Sequence, residues 1–204
     1  MKKILLSIIL CLLIIVNVSA KSKKDSNTIT EKDVKEVIER METSFNSIMK
    51  NDKLSQEEKN QEYKKLTSDL VDSQWIAKFI LGTHWRELKP AQRKEFHDLY
   101  KEYLISNYMP KLQDFNQDLT VDKVKKQRKD LYMVYCTTKD LKNRDIKVEF
   151  RVIERDNNLY ITDIIPEGIS FISSQRTEID SALTQKGYDE FIEDLKSKIK
   201  NISE

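Results

Sequence analysis

The chain has 204 residues, with 36 basic against 34 acidic side chains, a net charge of +2 and 39% hydrophobic content. That length supports one domain with a sizeable core, and the near-balance of charge excludes a general nucleic-acid binder. With only 3 glycines, Gly82, Gly168 and Gly187, neither a Gly-rich phosphate loop nor a dinucleotide-binding fingerprint can be assembled.

The first element is MKKILLSIILCLLIIVNVSA, with Lys2 and Lys3 ahead of an apolar run from Ile4 to Val16 and the small pair Ser19-Ala20, Val18 standing at the −3 position. This reads as a secretory signal peptide cleaved after Ala20, because the run falls short of the ~20 apolar residues that a membrane span needs. Cleavage leaves 184 of the 204 residues and a charge count of 34 against 34. Cys11 departs with the leader, so Cys136 stands alone and no intrachain disulfide can form. Residues 21–30 are polar and read as a disordered segment, which leaves 31–204 as a single α+β domain.

From Glu31 the apolar residues Val34, Val37, Ile38, Met41, Phe45, Ile48 and Met49 recur every three or four positions, the stripe of an amphipathic helix. Leu54-Ser55-x-x-Glu58 predicts a capping box and a second helix running to about Val71, with Leu66 and Leu70 inward. Trp75, Ile76, Phe79 and Ile80 predict a short apolar helix ending near Gly82, in a left-handed C-terminal position. Pro90 suits the first turn of a longer helix carrying Phe96, Leu99, Tyr100, Tyr103 and Leu104, and Pro110 ends it.

After Phe115 the period changes to two. DLTVDKVKK, DLYMVYCTTK, DIKVEFRVIER and NLYITDIIP read as four antiparallel strands, with Asp156-Asn157-Asn158 as a tight turn before the last. Ile146, Val148, Phe150 and Val152 share a buried face, while Lys147, Glu149 and Arg151 share a wet one. Beyond Pro166 and Gly168 the chain returns to helix: a stripe of Ile179, Ala182 and Leu183, a break at Gly187, then Phe191, Ile192, Leu195 and Ile199. Helices, a run of antiparallel strands and helices again make an α+β fold, with the N-terminal amphipathic helices on one face of a four-stranded sheet.

Residues with chemical potential are few. His84 and His97 lack the spacing of a zinc helix, which leaves the metal sites at none, and Cys136 sits in an apolar strand with nothing to stabilise a thiolate. The basic run VKKQRK at 124–129 reads as a solvated strand end, with an acidic or headgroup-facing contact as the other reading. Asp163 interrupts the apolar run Ile161 to Ile165. It is either an acid or base with a raised pKa, or a strand-end residue paired with an arginine such as Arg176. No catalytic residue and no cofactor emerges from these patterns.

Two stretches carry a resemblance. AKFILGTHWRELKPAQRKEFHDLYKEYLISNYMPKL, residues 77–112, contains Leu81-Gly82, Trp85, Pro90-Ala91-Gln92-Arg93, Phe96 and Glu102-Tyr103-Leu104. The second holds Asp163, Glu167-Gly168-Ile169-Ser170 and Gln175-x-x-Glu178. Their order and spacing resemble the MlaC family of periplasmic phospholipid-binding proteins, the auxiliary components of toluene-tolerance ABC transporters, over about 34–200. Ile179 departs from the pattern, since relatives often place an aromatic residue there. The resemblance implies a monomeric periplasmic shuttle without a catalytic step, carrying phospholipid between an outer-membrane lipoprotein complex and an inner-membrane ABC-transporter complex and so serving outer-membrane lipid asymmetry. It also implies acyl chains held in a cleft between helices and sheet.

On that expectation Val148, Phe150 and Val152 form one wall of the cleft and Phe79, Leu99 and Tyr103 the other, with Ile164, Ile169 and Phe171 near its mouth. The Pro-x-Gly break swings the chain off the sheet so that Ile169 and Phe171 can line that mouth. Two other functions fit the same elements. A small periplasmic hydrolase or isomerase on an open cone-shaped α+β fold requires convergent polar groups around Asp163 or His97. A docking subunit requires a filled core.

Overall fold

In a computed structural model the described residues are 28–108, 116–140 and 142–203. The signal peptide and most of the polar segment lie outside them, as does Pro110. The chain forms α1 (Glu31–Met49), α2 (Gln56–Leu70), α3 (Ser73–Leu81), α4 (His84–Glu87) and α5 (Pro90–Tyr108). Then come β1 (Asn116–Arg128), β2 (Leu131–Lys139), β3 (Asp145–Arg155), β4 (Asn158–Pro166) and α6 (Phe171–Ser203). Among the described residues, six helices and a four-stranded antiparallel meander, ordered β1-β2-β3-β4, make the α+β fold.

Local signals set most boundaries. Ser55 accepts from the Glu58 N–H while the Glu58 carboxylate accepts from the Ser55 N–H, so the capping box of α2 is complete. Thr30 and Asp33 form the same reciprocal pair at α1. Thr30 and Ile29 belong to the segment expected to be disordered. They are held because Ile29 packs against the sheet cluster and its carbonyl accepts from the Tyr132 hydroxyl at 3.2 Å.

Pro90 opens α5, where Gln92 Oε1 accepts from the Lys89 N–H at 2.9 Å. Asp156 and Asn157 both take positive φ, 51° and 58°, as a two-residue hairpin closed by Arg155 and Asn158 requires. Gly187 divides α6 at φ 76°, ψ 173°, a conformation open essentially to glycine alone. Gly82 corrects the expected left-handed cap: its φ is 54° but its ψ is −120°. The Arg176 guanidinium lies so close that a β-carbon at this position would sit 2.8 Å from it.

The apolar interior falls into two groups. In the first, α1 lays Val34, Val37 and Ile38 on the sheet face carrying Tyr132, Val134, Cys136, Phe150, Val152 and Ile161. In the second, α3, α5 and the two halves of α6 bury Ile80, Leu81, Phe96, Tyr100, Ile172, Ile192 and Leu195 among themselves. The helices α2, α3 and α6 meet the sheet through β4.

There, alternation fails. Ile161, Thr162 and Asp163 are all buried, because a register shift pairs Arg151 with Asp163 and Val152 with Ile161, leaving Thr162 as the extra residue of a bulge. The one-turn α4, without a side-chain cap bond, has no counterpart in the sequence reading.

Candidate functional site

The place where the helical group meets the sheet is a seam along β4. Val71 packs against both apolar groups and forms a parallel bridge with Ile161, so the segment between α2 and α3 continues the sheet for one residue. Next along β4, Asp163 is 2% exposed. Its carboxylate accepts from Arg151 Nη1 at 3.1 Å, from Ser170 Oγ at 2.7 Å and from the Ile172 N–H at 3.2 Å. One buried charge thereby holds the first turn of α6 to the sheet, and its cost is met by a cation and by hydrogen bonds.

The partner is Arg151, across the strand pair. Arg176, the expected candidate, instead stacks its guanidinium over Phe79 at 5.1 Å. The answer differs because the bulge brings Arg151 opposite Asp163, which no local pattern reveals.

Between them, Pro166 and Ser170 are joined by a turn with Glu167 at φ 49° and Gly168 at φ 80°. The Glu167 N–H donates to the Lys147 carbonyl at 2.8 Å, and its carboxylate accepts from the Lys147 N–H at 2.6 Å. The turn presents Ile169 at 64% exposure, and Ile164 on β4 is 40% exposed. Phe171 turns back toward the helices and meets Tyr108 edge-to-face at 4.9 Å.

The helical side of the seam is locked by a polar network. Gln175, 4% exposed, accepts from the Tyr100 hydroxyl at 3.2 Å. Its amide lies within hydrogen-bonding distance of Tyr108 Oη, 3.2 Å, and Glu178 Oε2, 3.1 Å. Burial is the main reason the Tyr108 phenol is pushed up to about 12, with the neighbouring Tyr103 and Glu178 adding to it. Tyr103 lies beside this network, its hydroxyl accepting from Asn107 at 3.1 Å. The sequence places Gln175 in the second motif stretch without assigning it a role, although a glutamine three residues after Ile172 and four before Ile179, on an apolar stripe, is the signal of a buried polar contact.

The two motif stretches therefore meet in space. Arg176 and Gln175 from the second lie against Phe79, Gly82 and Tyr100 from the first. Arg93 of the Pro-x-Gln-Arg turn stacks on Trp85 at 5.0 Å, and the Gln92 carbonyl accepts from the Tyr188 hydroxyl at 2.7 Å.

The structure distributes the expected cleft residues differently from a single facing pair of walls. Phe79, Leu99, Tyr103 and Phe171 pack on the helical group, whereas Val148, Phe150 and Val152 belong to the sheet group beneath α1. Ile164 pairs with Phe150 across β3 and β4 and stays partly open. The reason is that α1, with Val34, Val37 and Ile38, fills the apolar face of the sheet, while α3 and α5 find their partner in α6.

Clefts open on the surface of the described residues. One of about 270 Å³ is lined by Ile29, Arg40, Asp69 and Leu159 among others, and one of about 200 Å³ by Val71, Asp72, Ser73, Gln74, Arg155 and Tyr160. Neither contains an expected cleft residue, and both fall below the ~300–1,000 Å³ of small-molecule pockets.

The remaining candidates are quiet. Desolvation, with Asp122 and Glu42 nearby, pushes the Cys136 thiol up to about 12, which suits packing and not nucleophilic attack. Among the described residues no three His, Cys, Asp or Glu side chains gather around a metal-sized space, and no helix is long and apolar enough to cross a membrane. Lys126 of the basic run covers the Tyr132 ring at 5.0 Å on the exposed edge strand β1. His84 reaches Asp180 at 3.0 Å, and His97 reaches Ser73 at 3.0 Å.

Comparison with known proteins agrees with this architecture. A phospholipid-binding protein from Ralstonia solanacearum, solved in complex with a phospholipid at 1.53 Å, superposes with a TM-score of 0.67. The two share 16% identity, over 85% of this chain and 98% of that one. No curated protein sequence matches. The profile of the family described as MlaC protein matches residues 39–197, which takes in the seam and both motif stretches, and the chain belongs to that family.

Proposed function

We propose that the protein is a soluble periplasmic phospholipid carrier that takes its cargo along the β4 seam. The observation that carries this reading is the division of the apolar interior into two groups, with the helices of the second meeting the sheet along β4. An interior built this way can part without dismantling either group. The fold it shares with a protein solved around a phospholipid supports the same reading.

The energetics demand such a device. Each buried CH₂ is worth ~0.8 kcal/mol, so two acyl chains of about 15 methylenes each forfeit on the order of 24 kcal/mol when left in water. With the groups parted, Phe79, Leu99, Tyr103 and Phe171 line the slot from the helical side. Val148, Phe150, Val152 and Ile164 line it from the sheet side. Ile169, exposed on the Pro166–Ser170 turn, marks the mouth. A monomer of this kind shuttles lipid between an outer-membrane lipoprotein complex and an inner-membrane ABC-transporter complex, and membership of the family supports that role.

Mass spectrometry of an organic extract of gently purified protein tests the reading directly. Phospholipid is expected at a fixed ratio to protein. Ile169→Asp is expected to lower that ratio while the protein stays folded. Lipid-free protein from a lipid-replete source, or unchanged lipid in a folded Ile169→Asp variant, would count against it.

A further inference from the structure

Away from the seam, Ser73 Oγ lies 3.0 Å from His97 Nε2, and His97 Nδ1 lies 2.9 Å from Asp98 Oδ1. The other Asp98 oxygen is 2.5 Å from Lys94 Nζ. Lys94, and then His97, hold the Asp98 carboxyl below the usual carboxylate range, so it is ionised and accepts only. In the His97 tautomer that carries its proton on Nδ1, toward Asp98, Nε2 accepts from the Ser73 hydroxyl. This is the donor order of a nucleophile, its base and the group that orients the base.

The surroundings match. Ser73 opens α3 and lines the cleft of about 200 Å³ with Gln74, Arg155 and Tyr160. Asp72, the N-cap, accepts from the Trp75 N–H at 3.0 Å and pairs with Arg155. In this first turn the Ser73 N–H donates to the Val71 carbonyl and the Ile76 N–H to that of Asp72. The Gln74 N–H lies in the first turn of α3, where an intrahelical acceptor is lacking, and it sits one position after the serine, where an oxyanion donor is useful. The His97 side chain is 22% exposed, close enough to water for a hydrolytic second step.

We propose that Ser73, His97 and Asp98 form a hydrolytic relay for short-chain carboxylic esters, with the acyl group held in the cleft beside α3. Ser73 Oγ attacks the ester carbonyl as its proton passes to His97 Nε2, and the oxyanion faces the Gln74 N–H. The C–O bond to the alcohol then breaks, and His97 returns the proton to the departing alkoxide. Water adds to the acyl-serine by the same path, giving a carboxylic acid and free Ser73. Asp98 is a positioning residue that keeps the tautomer. The cleft volume restricts the acyl group to a few carbons, so this activity is separate from lipid carriage.

The test treats the purified full chain with a fluorophosphonate reagent and reads intact mass and the modified peptide, then follows p-nitrophenolate release from p-nitrophenyl acetate. One adduct per chain on Ser73 and a nitrophenolate burst are expected. Ser73→Ala is expected to lose both, and His97→Gln to slow labelling about 100-fold or more. Asp98→Asn is expected to lower kcat without moving KM, a split that a purely structural role does not produce. Folded wild-type protein that acquires no adduct at Ser73, or labelling unchanged in His97→Gln, overturns the proposal. The wild-type result decides even if a variant fails to fold. Lipid content of the same samples is read separately: lipid-free protein that still labels at Ser73 breaks the carrier reading alone, and lipid-loaded protein that does not label breaks the relay alone.

Discussion

The helical group and the sheet group pack their apolar residues in different ways. Around α3, α5 and α6 aromatic rings pack on one another among aliphatic side chains, with Phe96 stacked on Tyr100 at 5.3 Å and tilted against Phe191 at 6.2 Å, and with Gln175 buried among phenols. Between α1 and the sheet it is mainly aliphatic, with Val34, Ile38, Val134 and Val152 almost fully enclosed. Hydrogen bonds fix the helical group as a unit, while strand pairing fixes the sheet. What joins the two is thinner: Val71, the bulge at Thr162 and the Asp163 cluster. The proposed carriage fits a weak joint between two strong units, because cargo could then separate the surfaces without unfolding either.

The chain provides a reporter for each unit. Trp75 and Trp85 both pack on the helical group, and Cys136 is buried in the sheet group. The most severe test of their separateness is Phe96→Ala. Phe96 is 0% exposed, and its removal costs about 3–5 kcal/mol by lost burial and cavity formation. In urea the tryptophan fluorescence transition is expected to shift by that amount, and exposure of the Cys136 thiol by less. Coincident shifts would mean that the groups form one cooperative unit and that the seam is no boundary.

Asp163→Ala acts on the joint itself. It deletes the acceptor for Arg151, Ser170 and the Ile172 N–H. The Arg151 side chain is 40% exposed and regains water, so the loss is set mainly by the hydrogen bonds, about 2–3 kcal/mol. Both transitions are expected to move here, unlike those of Phe96→Ala. A shift confined to the tryptophans would place Asp163 inside the helical unit.

Alkali separates the groups by chemistry. The free thiol ionises near 9, whereas burial holds folded Cys136 protonated up to about 12. Between those values the unfolded chain binds fewer protons than the folded one, so stability falls as pH rises from about 9. The slope reaches at most about 1.4 kcal/mol per pH unit for one group. Cys136→Ala is expected to flatten the fall between pH 9 and 10. Above 10 the buried tyrosines of the helical group, Tyr100 and Tyr108, add their own losses in the same direction. A variant with the wild-type slope below pH 10 would exclude the thiol as its source.

Much of this was legible because its causes are local. The α1 stripe, the Ser55–Glu58 box, strand alternation, the Asp156-Asn157 turn and the break at Gly187 each depend on residues within a few positions of one another. The MlaC resemblance was legible for a related reason, since its motif residues are tied to turns and caps: Gln92 at the start of α5, Gly82 beneath Arg176, Ser170 on Asp163.

What escaped depends on long-range register. Nothing near Val148, Phe150 and Val152 announces that α1, over a hundred residues earlier, covers them in place of α3 and α5. Nothing near Asp163 announces a bulge that selects Arg151 over Arg176. Ser73 and His97 are 24 positions apart on different helices, and only the packing of α3 against α5 brings them together.

The smallest expected effect concerns α2, which bridges the comparison. Its exposed face is polar, yet Leu70 is buried in the sheet group, Leu66 packs on that group, and Val71 at its end touches both groups. Such a helix has little burial to spare and leans on its cap. Ser55→Ala removes the acceptor for the Glu58 N–H and with it half of the reciprocal box, a loss of about 1 kcal/mol. The Glu58 carboxyl is held low first by the Ser55 N–H and then by its hydroxyl, so its contribution is present above the carboxylate range and fades as pH falls through the lowered value. The Ser55→Ala variant is therefore expected to lose less stability than wild type on acidification. Because α2 leads directly into Val71, its fraying is expected to raise hydrogen exchange at Val71 and Ile161 before it affects Val134 or Phe96. Protection lost equally at all four amides would show that α2 supports the whole domain and not the joint.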